Sequence, residues 1–190
     1  DKILVTSMGK LSFFSKKGKF EKEMKTPAGF SAVFMPIGEN YIAAGFSNDA
    51  KFNYKVVNLH GPDLAKLKQI FRVLFQQQPG KTMIKLKEQS FDYMAYNDKI
   101  FVTGYKELKI DVLDKTGKKL YSITKEYQRV KVTEDIKKRV MHNLATSPET
   151  RFYFHAIKNN VIFPDYFPAI SSFLVNDDFV YIFTYRHEEK

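Results

Sequence analysis

"YMAYNDKIFVTGY" (93–105) is one of three segments that align without a gap, beside "FMPIGENYIAAGF" (34–46) and "FLVNDDFVYIFTY" (173–185). Each holds an apolar run, a turn built from Gly, Asn, Asp or Glu, and a second apolar run ending in an aromatic. Short apolar runs flanking Asn-Asp or Gly-Glu-Asn predict a β-hairpin. Repetition at this level has to be settled before individual motifs, since it decides the architecture.

Working outward, "KILVTSM" (2–8) matches "KIFVTGY" (99–105), the second strand of the hairpin. Both are followed by a further predicted hairpin, "KLSFFSKKGKFEKEM" (10–24) and "LKIDVLDKTGKKLYSI" (108–123). "KFNYKVVNLHGPD" and "KLKQIFRVLF", within 51–78, play the same part in the middle. The unit is four antiparallel strands. Its second strands begin near residues 2, 40, 99 and 179. The first spacing, about 38 residues, suits a propeller blade of ~40–50 residues. The longer spacings hold insertions at about 76–89 and 127–168.

The second insertion carries a predicted helix, "TEDIKKRVMHNL" (133–144). Thr133 caps it, Glu134 and Asp135 occupy its first turn, and Ile136, Val140 and Leu144 form an apolar face. The helix is read either as a flap over the sheets or as a filler between them. The predicted fold is thus all-β: a β-propeller of four-stranded antiparallel blades, about three in this chain, with one inserted helix near 133–144. The chain is a single propeller domain or part of one. A β-sandwich with one helix is the alternative; it explains the strands but not the repeat.

The glycine-lysine cluster in "VLDKTGKKLYSI" (112–123) invites a phosphate-loop reading. The Walker pattern fails, for no glycine stands five residues before Gly117 and no Ser or Thr follows Lys118. The twin "FFSKKGKFEKEM" (13–24) repeats the arrangement, which a unique phosphate site would not do. The cluster is predicted to be a hairpin turn in which Gly117 supplies a positive φ. Lys16, Lys17, Lys115 and Lys118 then lie on the face opposite the ligand-bearing loops.

Composition bounds the chemistry. The apolar fraction of 44% and aromatic fraction of 15%, from Phe and Tyr with no Trp, belong to a folded, strand-rich chain. Absence of cysteine removes disulfides, thiolate catalysis and cysteine-bound zinc. The charge, 31 − 21 = +10, raises the question of anionic partners. Its lysines are dispersed, as in a β protein kept soluble with blunted edges, so no specific nucleic-acid site is expected. No apolar run approaches the ~20 residues of a membrane-spanning helix. The chain opens Asp1-Lys2-Ile3, which reads as a processed product or a piece of something longer.

A family resemblance rests on Leu113, Asp114, Gly117, Lys118 and Leu120: an apolar pair, Asp, two residues, Gly-Lys and an apolar strand. A linker with a helix follows, then "IFPDYFPAISSFLVNDDFVYIFTY" (162–185). This resembles the six-bladed β-propeller proteins of the NHL- and TolB-like groups, especially bacterial extracytoplasmic members of unknown function, most closely over 90–185. The resemblance implies blades, a periplasmic or cell-surface location and no defined reaction. It also implies that about three blades are a part of the ring. The chain is expected to belong to a larger propeller, or to pair with a further chain or segment to close one.

By analogy with propellers, ligands are expected on the face that gathers the loops between second and third strands and between successive blades. That face receives "SNDAK" (47–51), "YKEL" (105–108), "RHEEK" (186–190) and both insertions, hence the candidates Lys51, Lys106, Glu107, Arg186 and His187. The innermost strands add Asp92. Beside "FPDYFP" (163–168), Tyr166, Arg151 and His155 are pocket candidates, though the same aromatics serve equally as a plug pinning the insertion. Each also reads as an ordinary solvated loop residue. His60, His142, His155 and His187 have no zinc-site spacing, so no metal and no cofactor are expected. Asp177 and Asp178 match Asn97-Asp98 in the repeat and read as turn residues, not as an acid–base pair. No G-x-S-x-G is present and no catalytic residue is assigned.

Three functions follow. The first is a non-catalytic ligand-binding or scaffold propeller, for which an anionic glycan or phosphate-bearing polymer suits the charge. The second is a propeller enzyme of lactonase, lyase or hydrolase type with its site at the central channel. The third is a protein–protein interaction module.

Overall fold

The computed structural model describes residues 2–7, 9–27, 33–49, 51–75, 84–85 and 91–186. The described chain is mostly β: four antiparallel sheets whose strand order is the chain order, and one short parallel pair. The first sheet holds β1 (Lys2–Ser7), β2 (Lys10–Ser15) and β3 (Phe20–Lys25). The second holds β4 (Met35–Ile37), β5 (Asn40–Asn48), β6 (Asn53–His60) and β7 (Lys66–Phe75). A short β8 (Ile84–Lys85) precedes the third sheet, which is β9 (Asp92–Tyr96), β10 (Lys99–Thr103), β11 (Lys109–Asp114) and β12 (Lys119–Thr124). After helices α1 (Glu134–Thr146) and α2 (Phe154–Ile157) comes β13 (Val161–Ile162), parallel to β8. A fourth sheet, β14 (Ser172–Asn176) with β15 (Phe179–Phe183), ends the described chain.

The three aligned segments are therefore the hairpins β4–β5, β9–β10 and β14–β15. Their turns obey the same register. Gly38, Asn97 and Asp177 share one repeat position and all have positive φ, at 58°, 47° and 49°. Glycine adopts that conformation freely, and Asn and Asp are the side chains that tolerate it best.

Side chains alternate between the two faces of a strand, so each interior strand serves two cores. On β10, Ile100 and Val102 pack with Ile37, Ile42, Val57 and Leu59 of the second sheet. The intervening Phe101 packs the other way, with Ile110, Val112, Ala169, Ile170, Phe173 and Val175. A further core joins the first sheet to the second through Leu11, Phe13, Phe34, Ala43 and Leu64. The sheets thus stack face to face in chain order, with three cores between them. This is why β10 reads as an unbroken apolar run and not as alternation.

The first strands of successive sheets lie side by side. The Tyr93 hydroxyl donates to Val33 O at 3.0 Å and accepts from Ala44 N at 3.2 Å. Asp177 N donates to the Tyr96 hydroxyl at 2.8 Å, and Val175 N approaches Met94 Sδ at 3.3 Å. Chain segments 80 or so residues apart are tied at their backbones by a few aromatic and sulfur side chains.

The inserted helix matches its expected position. Thr133 Oγ1 accepts from Ile136 N at 3.4 Å, and Glu134 pairs with Lys137 at 2.7 Å. Its apolar stripe is only half-buried, since no residue of α1 is fully buried. The short α2 was not anticipated, because four residues carry no readable apolar period. The expected insertion at 76–89 lies outside the described residues, save Ile84–Lys85, whose pairing with β13 joins the two insertions. Because α1 packs loosely, Thr133→Ala is expected to cost its first turn about 1 kcal/mol. Amide exchange there should speed up about fivefold while the unfolding midpoint of the sheets stays put.

Candidate functional site

The two ends of the sheets differ. At one end lie the tight turns. Lys115 Nζ stands 4.0 Å from Asp98 Oδ2, and its chain passes beside Gly38 of the neighbouring sheet. Asp114 organises the glycine-lysine turn, its Oδ1 accepting from Thr116 N, Thr116 Oγ1 and Lys118 N. Those bonds, the Thr116 hydroxyl foremost, hold its carboxyl below the usual range. Gly117 has φ 77°, and Gly18 in the twin turn 78°. The N–H groups of Thr116, Gly117 and Lys118, which a phosphate loop would turn on its ligand, are here donated to Asp114.

At the other end the longer connections meet. Lys125 N donates to Leu108 O at 3.3 Å, and Ala169 N to Lys106 O at 3.0 Å. These bonds gather the β10–β11 loop, the segment leaving β12 and the segment leading to β14. Between the first two lies an open groove of about 770 Å³, lined by Tyr105, Glu107, Leu108, Lys109, Thr124, Lys125, Glu126, Tyr127 and Arg129.

Its floor is rigid. The Tyr105 hydroxyl donates to Asp111 Oδ2 at 2.5 Å, and the ring meets Phe71 edge-on at 5.8 Å, under Lys109 Nζ at 4.3 Å from its centroid. Burial and then the Asp111 carboxylate push the Tyr105 hydroxyl far above its ordinary range, so it stays protonated and locked as a donor. Asp111 is buried and also accepts from Ser122 Oγ at 2.6 Å and Lys119 Nζ at 2.8 Å. Burial alone would raise its pKa, but the bonds from Lys119, Ser122 and Tyr105 together hold it below the usual carboxylate range. Tyr127 is half-buried against the third core, and its hydroxyl has no hydrogen-bond partner among the described residues.

The expected site residues fall into groups. Glu107 lines the groove, and Lys106 is in the same loop, its carbonyl engaged by Ala169. Tyr166 reaches the rim indirectly, with the Arg129 guanidinium 5.1 Å from its ring centroid. Asp92 starts β9 opposite Thr103, with Oδ1 accepting from Tyr93 N at 2.9 Å and Oδ2 3.5 Å from Phe173 N. Those contacts make it a tie between two first strands. Lys51 sits in a loop organised by Asp49, which accepts from Lys51 N, Phe52 N and the Tyr54 hydroxyl. Arg151 lies over Phe152, and His155 against Phe154. Arg186 is exposed just beyond β15, and His187 lies outside the described residues.

The "FPDYFP" segment shows its pinning side. Phe167 stacks on Tyr185 at 4.4 Å, while Phe167 N and Val132 N bond to Val130 O and Asp165 O. Sequence reasoning missed Tyr105, Tyr127, Lys109, Lys125, Glu126 and Arg129. Tyr105 was visible only as the closing aromatic of the repeat, which reads as packing. Among the described residues no three His, Asp or Glu side chains gather as metal ligands, and no helix is long and apolar enough to cross a membrane. No protein-family model matches the chain, and no curated protein is similar to it.

Proposed function

We propose that this chain is a binding propeller, or a large part of one, that takes an anionic polymer at the groove beside Tyr105 and Tyr127. The observation that carries the reading is the groove's composition and place. Three cations, Lys109, Lys125 and Arg129, and two tyrosine rings meet where the longer loops converge. Rings and cations together suit the sugar faces and anionic substituents of an acidic glycan. Glu107 and Glu126 add acceptors for its hydroxyls.

The propeller reading is supported by three successive inter-sheet cores and by adjacent first strands. A two-layer sandwich has a single inter-sheet core. Membership of the NHL- and TolB-like group and a periplasmic or cell-surface location go with this reading. Both rest on the sequence resemblance.

The test uses a sulfated dextran as probe, titrated against the wild type and two double variants. Lys125→Glu with Arg129→Glu is expected to weaken binding about tenfold or more, with a shallower salt dependence. Lys115→Glu with Lys118→Glu, on the turn face, is expected to change it far less. Absence of binding, or loss confined to the turn-face variant, would remove the proposal.

A further inference from the structure

We infer that the polymer taken at the groove is a uronate glycan, with one carboxylate and free hydroxyls on each sugar, and that Glu107 and Glu126 select it over a densely sulfated chain. The inference rests on the anionic-polymer reading of the groove and names the class of polymer.

The whole chain carries +10, which by itself would suit the densest polyanion. The groove does not share that balance. Lys109, Lys125 and Arg129 share its lining with Glu107 and Glu126, three cations against two carboxylates, a net of +1. Charges a few ångströms from a ligand act on it more strongly than the average over the surface, which salt screens. The lining therefore matches a sparsely charged chain better than one with several anions on every sugar.

The two glutamates are exposed, and among the described residues neither carboxylate takes part in an ion pair or hydrogen bond. Their charge is not neutralised by the cations that line the same groove. A sulfate brought beside such a carboxylate meets like charge and offers no donor to offset it. A sugar that keeps its hydroxyls brings donors, and an ionised carboxylate accepts them strongly. Since the glutamates hold no partner among the described residues, the hydroxyls displace only water.

The cations have set places for the one carboxylate of each sugar. Lys109 Nζ stands over the Tyr105 ring, which Asp111 fixes. Arg129 is half-buried, with its guanidinium against the Tyr166 ring. The buried Tyr127 hydroxyl, without a hydrogen-bond partner among the described residues, completes the lining as a polar group to be satisfied by water or ligand.

The test compares three forms of one probe by calorimetry: oligogalacturonate of fixed length, its methyl ester, and the same oligomer with its hydroxyls sulfated. The ester removes the charge and keeps the hydroxyls; sulfation does the reverse. The wild type is expected to bind the free acid at least about tenfold more tightly than either, the sulfated form retaining weaker binding through the three cations. In Glu107→Gln with Glu126→Gln, the ratio of free-acid to sulfated affinity is expected to fall about tenfold, chiefly because the sulfated form gains. Both side chains are exposed, so the fold is expected to survive, with circular dichroism as the check. A sulfated or esterified form bound as tightly as the free acid would overturn the inference, as would a ratio that the Gln variant leaves unmoved. In those cases the anionic-polymer reading stands so long as Lys125→Glu with Arg129→Glu still weakens binding of sulfated dextran. If neither the galacturonate forms nor sulfated dextran bind, both readings fall.

Discussion

Gly117→Ala is expected to destabilise the protein by about 2–4 kcal/mol, while Gly18→Ala, in the twin turn, costs about 1 kcal/mol. Both glycines have the same φ, near 78°. An L-residue there costs roughly 1–2 kcal/mol, and that part is common to the two sites. The surroundings differ. A Cβ on Gly18 would meet nothing within 4 Å, whereas one on Gly117 would stand 2.3 Å from Ile70 Cγ2 of the second sheet. Ile70 packs against the second core, so relief means moving a branched side chain inside a filled layer. Chemical denaturation of the two variants measures the difference. Equal midpoints would mean that the close approach of the third sheet's turn to β7 carries no energy.

Asp111→Ala is the second large effect, about 2–4 kcal/mol. The carboxylate is buried and receives two hydroxyls and an ammonium. Hydrogen bonds to a charged group contribute about 1.5–3 kcal/mol each in favourable cases. Lys119 is half-exposed, so its share is small, and the loss comes mainly from stranding the Tyr105 and Ser122 hydroxyls. The effect carries a pH signature. A carboxyl held below its unfolded pKa contributes stability that is fully present above about pH 4 and fades as pH falls through the folded value. The gap between wild type and Asp111→Ala should therefore be widest near neutrality and shrink in acid. Asp111→Asn, which keeps the shape and one acceptor, should fall between them.

Much of the fold was legible because strand and turn signals repeat. Asn97-Asp98 and Asp177-Asp178 announce their hairpins, and the ungapped register tells which residue faces which neighbour. The third copy of the glycine turn was not legible. There Gly61 N bonds to Ala65 O and Leu64 N to Gly61 O, as Asp114 and Gly117 do, yet the positive φ of 65° belongs to Leu64. A bulky residue in that conformation is strained, and its side chain, buried in the first core, offsets the strain. Turn chemistry alone cannot show this, since the compensating contact comes from another sheet. The groove was legible only in part. Glu107 and Lys106 follow from knowing where loops gather, but Tyr127 and Arg129 lie in a linker with no periodic pattern. Their meeting with Tyr105 depends on how the chain leaves β12.

Because neighbours in each of the antiparallel sheets are neighbours in the chain, most strand pairing closes short loops. A sheet can pair as soon as its own residues have left the ribosome, but its forward face stays wet until the following sheet arrives. Synthesis therefore carries one unsatisfied apolar surface along the growing chain, handed from Leu4 and Leu11 to Ile42, then to Phe101. The longest waits fall at the two insertions, where some 16 residues separate β7 from β9 and some 47 separate β12 from β14. Those pauses are where a nascent chain is most exposed to capture by another, and where a chaperone has most reason to bind.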